Sequence, residues 1–573
     1  MYLTIVDTTQ IQAYVFASNR LRENIGASHL VAQATGEWAR EAVNQSAISH
    51  NIADIGKGKL NQQRMVVADS SLGAEAVDAE VMYTGGGNAV VLFQTFGQVS
   101  MFKRKLSRRV LKEAPGLQLV IAEQEFDWAK ESLVKVVNDV FGKLNEAKRV
   151  RSHSVPLLGL GVTVECQSTA LPAVEYAKIV EGEDRRPVSA ETAAKLQANK
   201  TAKDRLEEIC GSLTERGYDY PDELDHLGRE SGEQSYIAVV HADGDGMGQK
   251  IKEIGDKDEH CITDENGSYA TANRCYISAL RVFSQSVEVA AQAALKTTLS
   301  GLLNAIDVND LSISHNGGAD WIAPIKLTEK KSENGYYVPF RPIVFGGDDV
   351  TFVCDGRLGL ALAKVYAEEF AKETSNRACG KLTACLGVVL VKAHYPFARA
   401  YQMAEQLLKS AKTYRRKIKD DYSEWSNACV DWHFALTGLF GSLGDIRERE
   451  YQVKDGSLLL RPLTLNNNPK DKHRSWLVLG NILKQYQKDW GERRNKMKAL
   501  RESLRSGPDA VKEFMALYDL KKLPESGLNK DEAARETGWI DDRRCRDFDA
   551  IEMTDWYIPI EQSQTEGAQA NAN

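Results

Sequence analysis

Apolar runs separated by glycine-rich turns recur along this chain in a fixed order. SYIAVVHADGDGMG (235–248) is a β-rich run ending in a glycine-rich turn. Helical amphipathicity follows within CYISALRVFSQSVEVAAQAALKTTLSGLL (275–303), and PIVFGGDDVTFVC (342–354) predicts two short strands joined at a double glycine. Leu358, Leu362, Val365, Tyr366 and Phe370 then recur at helical spacing. LTACLGVVLV (382–391) is a continuous apolar run, the pattern of a strand covered on both faces. Pro396 opens another helix, where its missing N–H costs nothing. The order β-α-β-β-α-β-α predicts a ferredoxin-like or polymerase-palm sheet.

The N-terminal third repeats the pattern. YLTIVDT (2–8) predicts a strand, helical segments run to about residue 47, and LQLVIAEQ (117–124) predicts a closing strand. Between them VMYTGGGNAVVLF (81–93) lines up with IVFGGDDVTFVC, with Gly87 and Asn88 standing where Asp348 and Asp349 stand in the second copy. The expected fold class is therefore α+β: two palm domains (βαββαβ), the first degenerate, keeping the hairpin geometry without its charge. The predicted organisation is a first palm at 1–180, a polar linker or exposed helix at 181–233 and a second palm at 234–420. A helical domain at 421–560, marked by Trp425, Trp432, Trp476 and Trp490, and a disordered tail at 561–573 complete it.

Composition narrows the class. At 573 residues, 43% apolar and 27% charged, the chain is an ordinary multidomain globular protein. Its net charge of −7 argues against a dedicated duplex-DNA binder while leaving room for a local basic patch. Nine scattered cysteines include no C-x-x-C pair, so neither a zinc ribbon nor a disulfide framework is indicated. Neither a signal peptide nor an apolar run of membrane-spanning length is present, which predicts a cytoplasmic protein. MFKRKLSRR (101–109), KTYRRKIK (412–419) and GERRNKMKALRESLR (491–505) could contact RNA, but interspersed acids favour solvated helix faces. Base-stacking aromatics near them are confined to Tyr401 and Tyr414. His241 reads as a buried structural imidazole, and Trp432-His433 and Tyr14-Val15-Phe16 as core.

The candidate chemistry lies where the strands should converge. In a βαββαβ sheet the first strand ends beside the start of the third, so Asp243 and Asp245 should meet Asp348 and Asp349 at one sheet edge. Such a cluster is unfavourable without a divalent cation, and all-oxygen ligands favour Mg2+ or Mn2+. Gly346 and Gly347 would admit a phosphate-bearing substrate, Gly244, Gly246 and Gly248 would offer backbone amides to it, and Lys412 would contact a triphosphate. Together these parts describe two-metal nucleotidyl transfer. The alternatives for each motif alone are a type I′ hairpin turn with solvated acids and an ordinary D-G-D-G turn.

HADGDGMG, FGGDD, CLGVVLVKAHYPF and the helix ending in SAK resemble the large polymerase-like subunit of type III CRISPR effector complexes. DTTQIQAYVFASNRLRENIGASHL and YTGGGN resemble that family's first palm, and a more distant similarity links the second palm to GGDEF cyclases. The resemblance implies condensation of ATP into cyclic oligoadenylate for antiviral signalling, with Asp243 and Asp348 holding metal. Asp349 would be a second ligand or activate the attacking hydroxyl, and Gly86 and Asn88 would line a metal-free second nucleotide pocket. It also implies guide or target RNA and effector subunits as partners, and leaves oligomerisation open. Two departures stand out. No histidine is followed by aspartate, so the family's nuclease domain is expected to be absent, and Cys166 is at most an unpaired remnant of its cysteine-rich zinc element, which argues against structural zinc. The competing expectations are a poorly catalytic RNA- and partner-binding scaffold and a GTP-using cyclic dinucleotide synthase.

Overall fold

The computed structural model describes residues 1–560 except 68–72, 151–160, 180–183, 228–234, 316–318, 320, 331–333, 420–426, 437–440, 469, 530 and 541–542. Trp425, the 561–573 tail and both ends of the 181–233 stretch lie outside the described residues.

The first palm is a four-stranded antiparallel sheet of β1 (Tyr2–Thr9), β2 (Ala79–Gly85), β3 (Asn88–Phe93) and β4 (Gln118–Glu125), in the order β2-β3-β1-β4. Helices α1 (Ile11–Phe16), α2 (Leu21–Thr35) and α3 (Glu37–Asn44) lie between β1 and the hairpin in sequence. Helices α4 (Phe96–Glu113) and α5 (Leu133–Val150) flank β4 in sequence. The 181–233 stretch contains α6 (Ala190–Cys210). It is no exposed linker: Thr192, Lys195, Ala198, Ala202 and Leu206 are buried, and α6 packs along α2. Gly26 permits that approach, since a Cβ there would lie 1.8 Å from the Lys195 carbonyl oxygen.

The second palm repeats the plan with β5 (Tyr236–Gly244), α7 (Met247–Gly255), α8 (Ala270–Asn304), β6 (Phe340–Gly346), β7 (Asp349–Asp355), α9 (Gly359–Ser375), β8 (Ala384–Lys392) and α10 (Phe397–Lys419). Its sheet does not stop near 420 as the sequence predicts. Strand β9 (Cys429–Ala435) joins β8 in parallel and β10 (Leu463–Thr464) pairs with β9, giving the order β6-β7-β5-β8-β9-β10. Trp432 and His433 are core residues of this added strand. Helices α11 (Leu443–Tyr451), α12 (Trp476–Asp489), α13 (Arg494–Ser506) and α14 (Pro508–Leu517) form most of the C-terminal part, which shares one core with the second palm.

Strand periodicity divides the interior. Ala238, Val240 and Ala242 of β5 enter the core shared with Leu479, Ile482, Leu500 and Leu504. Ile237 and Val239 face the other way, into a core shared with Val6, Val81, Ala89 and Val91 of the first palm. The palms are thus joined by a common apolar interior. Helix α8 spans both: Tyr276, Ile277 and Leu280 pack with Leu3, Ile5 and Leu92, while Leu295, Leu299 and Leu302 enter the second palm's core. Near its start Arg274 and Arg281 neutralise the fully buried Glu80 at 2.7 and 2.9 Å. Removing one partner of such a buried pair typically costs about 3–5 kcal/mol.

Among the described residues no helix is long and apolar enough to cross a membrane. The basic segments are partly engaged within the protein: Lys103 pairs with Glu123, Arg494 with Asp555, and Arg505 lies over Phe548. Tyr401 is buried against Phe16 and Tyr414 lies under Arg474, so neither offers a free stacking face.

Candidate active site

The predicted convergence of strand ends is realised in the register. Asp243, one residue before the end of β5, lies directly opposite Asp349 at the start of β7. Gly346 and Asp349 close the hairpin, leaving Gly347 and Asp348 as its two-residue loop. Gly347 has φ 76° and Asp348 is not among the positive-φ residues, the type II′ pattern rather than the I′ turn considered from sequence. Asp348 folds back over the end of β5, where the Gly244 N–H donates to its carbonyl oxygen at 3.2 Å. A Cβ on Gly244 would stand 2.7 Å from Asp348 Cβ and 2.9 Å from its Oδ2, so only glycine leaves room for that carboxylate.

The electrostatics are those of crowded like charges. Burial, then the neighbouring Asp243, pushes Asp348 and Asp349 up to about 7. Asp349 Oδ1 is buried and makes no hydrogen bond. It lies 3.3 Å from Nδ1 of His241, an imidazole held neutral by burial with its pKa lowered to about 4. His241 is fixed by Thr351 Oγ1 at 3.0 Å and the Tyr401 hydroxyl at 3.3 Å. Lys412 reaches in from α10, donating to Asp243 Oδ2 at 2.6 Å and the Gly244 carbonyl at 3.2 Å.

Asp245 departs from expectation. Its carboxylate turns into the protein, accepting from Thr383 Oγ1 at 2.9 Å and pairing with Arg415 Nε at 3.1 Å. It therefore anchors the loop rather than joining the acidic edge. Gly246, with φ 72°, caps the N-terminus of α7 without a side-chain cap, and Gly248 follows in the exposed first turn. First-turn amides there remain open to an anion.

Asp243, Asp348 and Asp349 offer only oxygen donors, one of them orphaned, at a sheet edge where their charges repel; this chemistry suits a hard divalent cation. Among the described residues, however, no group of three His, Cys, Asp or Glu side chains stands ready to hold an ion. Lys412 occupies Asp243 instead.

The first palm carries a partial copy that sequence reading missed. Asp7 pairs in register with Asn88, as Asp243 does with Asp349, and Lys148 on α5 reaches Asp7 at 2.5 Å. The clue lay in Ala147-Lys148, which repeats Ala411-Lys412. Asn88 Oδ1 is likewise buried without a partner. Gly86 and Gly87 both have positive φ, at 60° and 87°, so this turn is I′-like and does not keep the second hairpin's backbone geometry. The two tips face each other: a Cβ on Gly347 would lie 3.6 Å from Gly86 Cα.

Residues 236–421 match the model of the Cas10/Cmr2 second palm domain. The second palm is Cas10-like. No curated protein sequence matches the chain. Among solved structures, similarity extends to a Csm1–Csm4 cassette in complex with cA4, at 12% identity and a TM-score of 0.48, covering 96% of this chain and 68% of that one. The cassette in complex with pppApApA matches at 12% identity and a TM-score of 0.49, covering 97% and 69%. The Csm1–Csm4 subcomplex of the type III-A CRISPR-Csm interference complex matches at 14% and 0.43, covering 97% and 70%. The GGDD hairpin and Lys412 both fall within the Cas10-like segment. Cys166, taken from sequence as a zinc-element remnant, is a buried free thiol 3.4 Å from Thr192 Oγ1.

Proposed function

We propose that this chain is a divalent-metal-dependent nucleotidyltransferase that joins ATP into a cyclic oligoadenylate-type messenger in CRISPR-type antiviral defence. The observation carrying this reading is the meeting of Asp243 with Asp349 in register, with Asp348 laid over Gly244, inside a Cas10-like palm. Asp243, Asp348 and Asp349 would hold Mg2+ or Mn2+; when bound, the metal neutralises the carboxylates and polarises the α-phosphate and the attacking hydroxyl. A ribose hydroxyl forms the new bond to the α-phosphorus, the bond to the β-phosphate oxygen breaks, and pyrophosphate leaves. Asp349, whose side chain is half exposed although its Oδ1 is turned toward His241, accepts the hydroxyl proton. Lys412 moves from Asp243 onto the triphosphate, and the open amides around Gly246 and Gly248 hold its oxygens. Gly86 and Asn88 of the facing turn contact the second nucleotide. Guide or target RNA and effector subunits like the Csm4 of the similar structures are the proposed partners.

The test is incubation with each of the four nucleoside triphosphates and Mg2+ or Mn2+, with and without single-stranded RNA, followed by mass spectrometry. Cyclic oligoadenylate that disappears in Asp348→Ala/Asp349→Ala supports the reading; unchanged pyrophosphate release in that variant rejects this site as the source. A second reading, a scaffold that binds ATP but turns it over poorly, is favoured by the Lys412–Asp243 pair and by the lack, among the described residues, of a ready ion cluster. Co-purified RNA and partner subunits without product under any activator would decide for it.

A further inference from the structure

The two hairpin turns meet tip to tip, and matched arginines from outside both sheets hold equivalent positions in them. Arg205, on α6, donates Nη2 to the Phe345 carbonyl at 2.9 Å and lies 4.7 Å over the Phe345 ring. The same nitrogen is 3.3 Å from where a Cβ on Gly346 would project. Arg40, on α3, donates Nη1 to Thr84 Oγ1 at 2.8 Å and Nε to the Ile55 carbonyl at 2.6 Å. Thr84 precedes Gly85 as Phe345 precedes Gly346, so each guanidinium grips the same step of its hairpin. Glu288, on α8, stands in the field of both arginines, and α8 itself packs on both β2 and β6. The other end of α6 is fastened to the first palm, where Lys195, steadied by Glu191 one turn earlier on α6, donates to the Tyr14 carbonyl at 2.7 Å.

We propose that Arg205 is a positioning residue, which with Glu288 and Arg40 fixes the GGDD turn against the GGGN turn and makes α6 the strut that sets their separation. Within each sheet the first strand ties the tip to its own palm, Gly244 to Asp348 and Thr8 to Gly87, which leaves the separation across the seam to elements outside the sheets. A nucleotide site shared across the seam depends on that separation, so the kinetic part of the proposal rests on the nucleotidyl-transfer reading, whereas the geometric part does not.

The geometric test is disulfide trapping between Gly86→Cys and Gly347→Cys in the full chain, with the cross-linked peptide identified by mass spectrometry among the native cysteines. The left-handed backbone at both sites penalises the probes equally in every background, so rates are compared between backgrounds. Arg205→Ala should slow cross-linking by about tenfold and Arg205→Lys by less than about threefold, at unfolding midpoints close to the parent's. Glu288→Gln should slow it by about threefold and serves if Arg205→Ala does not fold. Cross-linking at the parent rate in the folded variants overturns the strut, whatever happens to turnover. In the kinetic arm, Arg205→Ala should lower kcat at least about tenfold with KM within about twofold, and Arg205→Lys should restore most of it. An unchanged kcat with slowed cross-linking overturns the link from seam to turnover. A parent without product fails the functional reading and leaves the cross-linking result to judge the strut.

Discussion

The two palms share a frame and differ in what they mount on it. Both hairpins shift register at the same step, between Val81 and Tyr83 in one and Pro342 and Val344 in the other, four residues before the closing glycine. Both pair an aspartate at the end of the first strand with a lysine late in the last helix, Asp7 with Lys148 and Asp243 with Lys412. The difference lies in where side-chain volume sits. In the first palm Thr8 follows the aspartate, and its hydroxyl donates to the Gly87 carbonyl at 2.9 Å. In the second, Gly244 stands at that position and the hairpin residue opposite is Asp348. A side chain has moved from strand to turn, and a carboxylate now lies where a hydroxyl reached across. An Asp–Lys pair therefore belongs to the palm framework, whereas the acidic hairpin is an addition that required a glycine to receive it.

The comparison breaks most sharply at the added acids. Asp348→Ala/Asp349→Ala should lower pyrophosphate release by about 10³-fold or more, while Asn88→Ala changes it far less, measured by coupled phosphate detection under saturating ATP and Mn2+. Next comes the receiving glycine: Gly244→Ala should cost about 10²-fold in kcat because its methyl group displaces Asp348, with the unfolding midpoint nearly unchanged. Thr8→Gly, its counterpart, should stay within about threefold. For the framework lysines, Lys412→Ala should raise KM for ATP about tenfold, whereas Lys148→Ala should shift KM less than about twofold and cost up to about 1 kcal/mol of stability by chemical denaturation.

The smallest expected effect is in pH. Burial, then Asp243, pushes Asp348 and Asp349 in the folded chain up to about 7, from the ordinary 3.8 of an aspartate. A carboxyl raised in this way favours folding while protonated, so its contribution is complete below about pH 4 and is lost as pH rises through about 7. Without metal, Asp348→Asn/Asp349→Asn should therefore raise the Tm by a few degrees more at pH 8 than at pH 5. Excess Mg2+ should raise the parent's Tm and remove the variant's advantage, as differential scanning fluorimetry would record. An advantage that does not grow with pH would mean that the two acids are not crowded by Asp243.

Much of this frame was legible because apolar periodicity is strong where both faces of a strand are covered, as in β5 and β8. The pairing of Asp243 with Asp349 followed from topology alone. Asp245 did not, because it lies beyond the end of β5, where the loop rather than strand alternation decides its direction. Helix α6 read as a linker because its buried face includes Thr192, Lys195 and Asn199, polar residues whose partners lie in distant segments or adjacent turns. Strand β9 was hidden for a related reason: CVDWHFA is interrupted by Asp431, a buried charge that Arg447 neutralises at 2.7 Å. Turn type also escaped, since GGGN and GGDD both satisfy the composition rule for a two-residue hairpin.

The added strand has a practical corollary for anyone dissecting this protein. Truncation after residue 421 would strip β9 from β8, leaving the amides and carbonyls of Leu386–Val391 as an uncapped, sticky margin and uncovering the apolar surface that Trp432 and Phe434 shield. A soluble second-palm fragment should therefore run through Thr464 and bring its supporting helices with it.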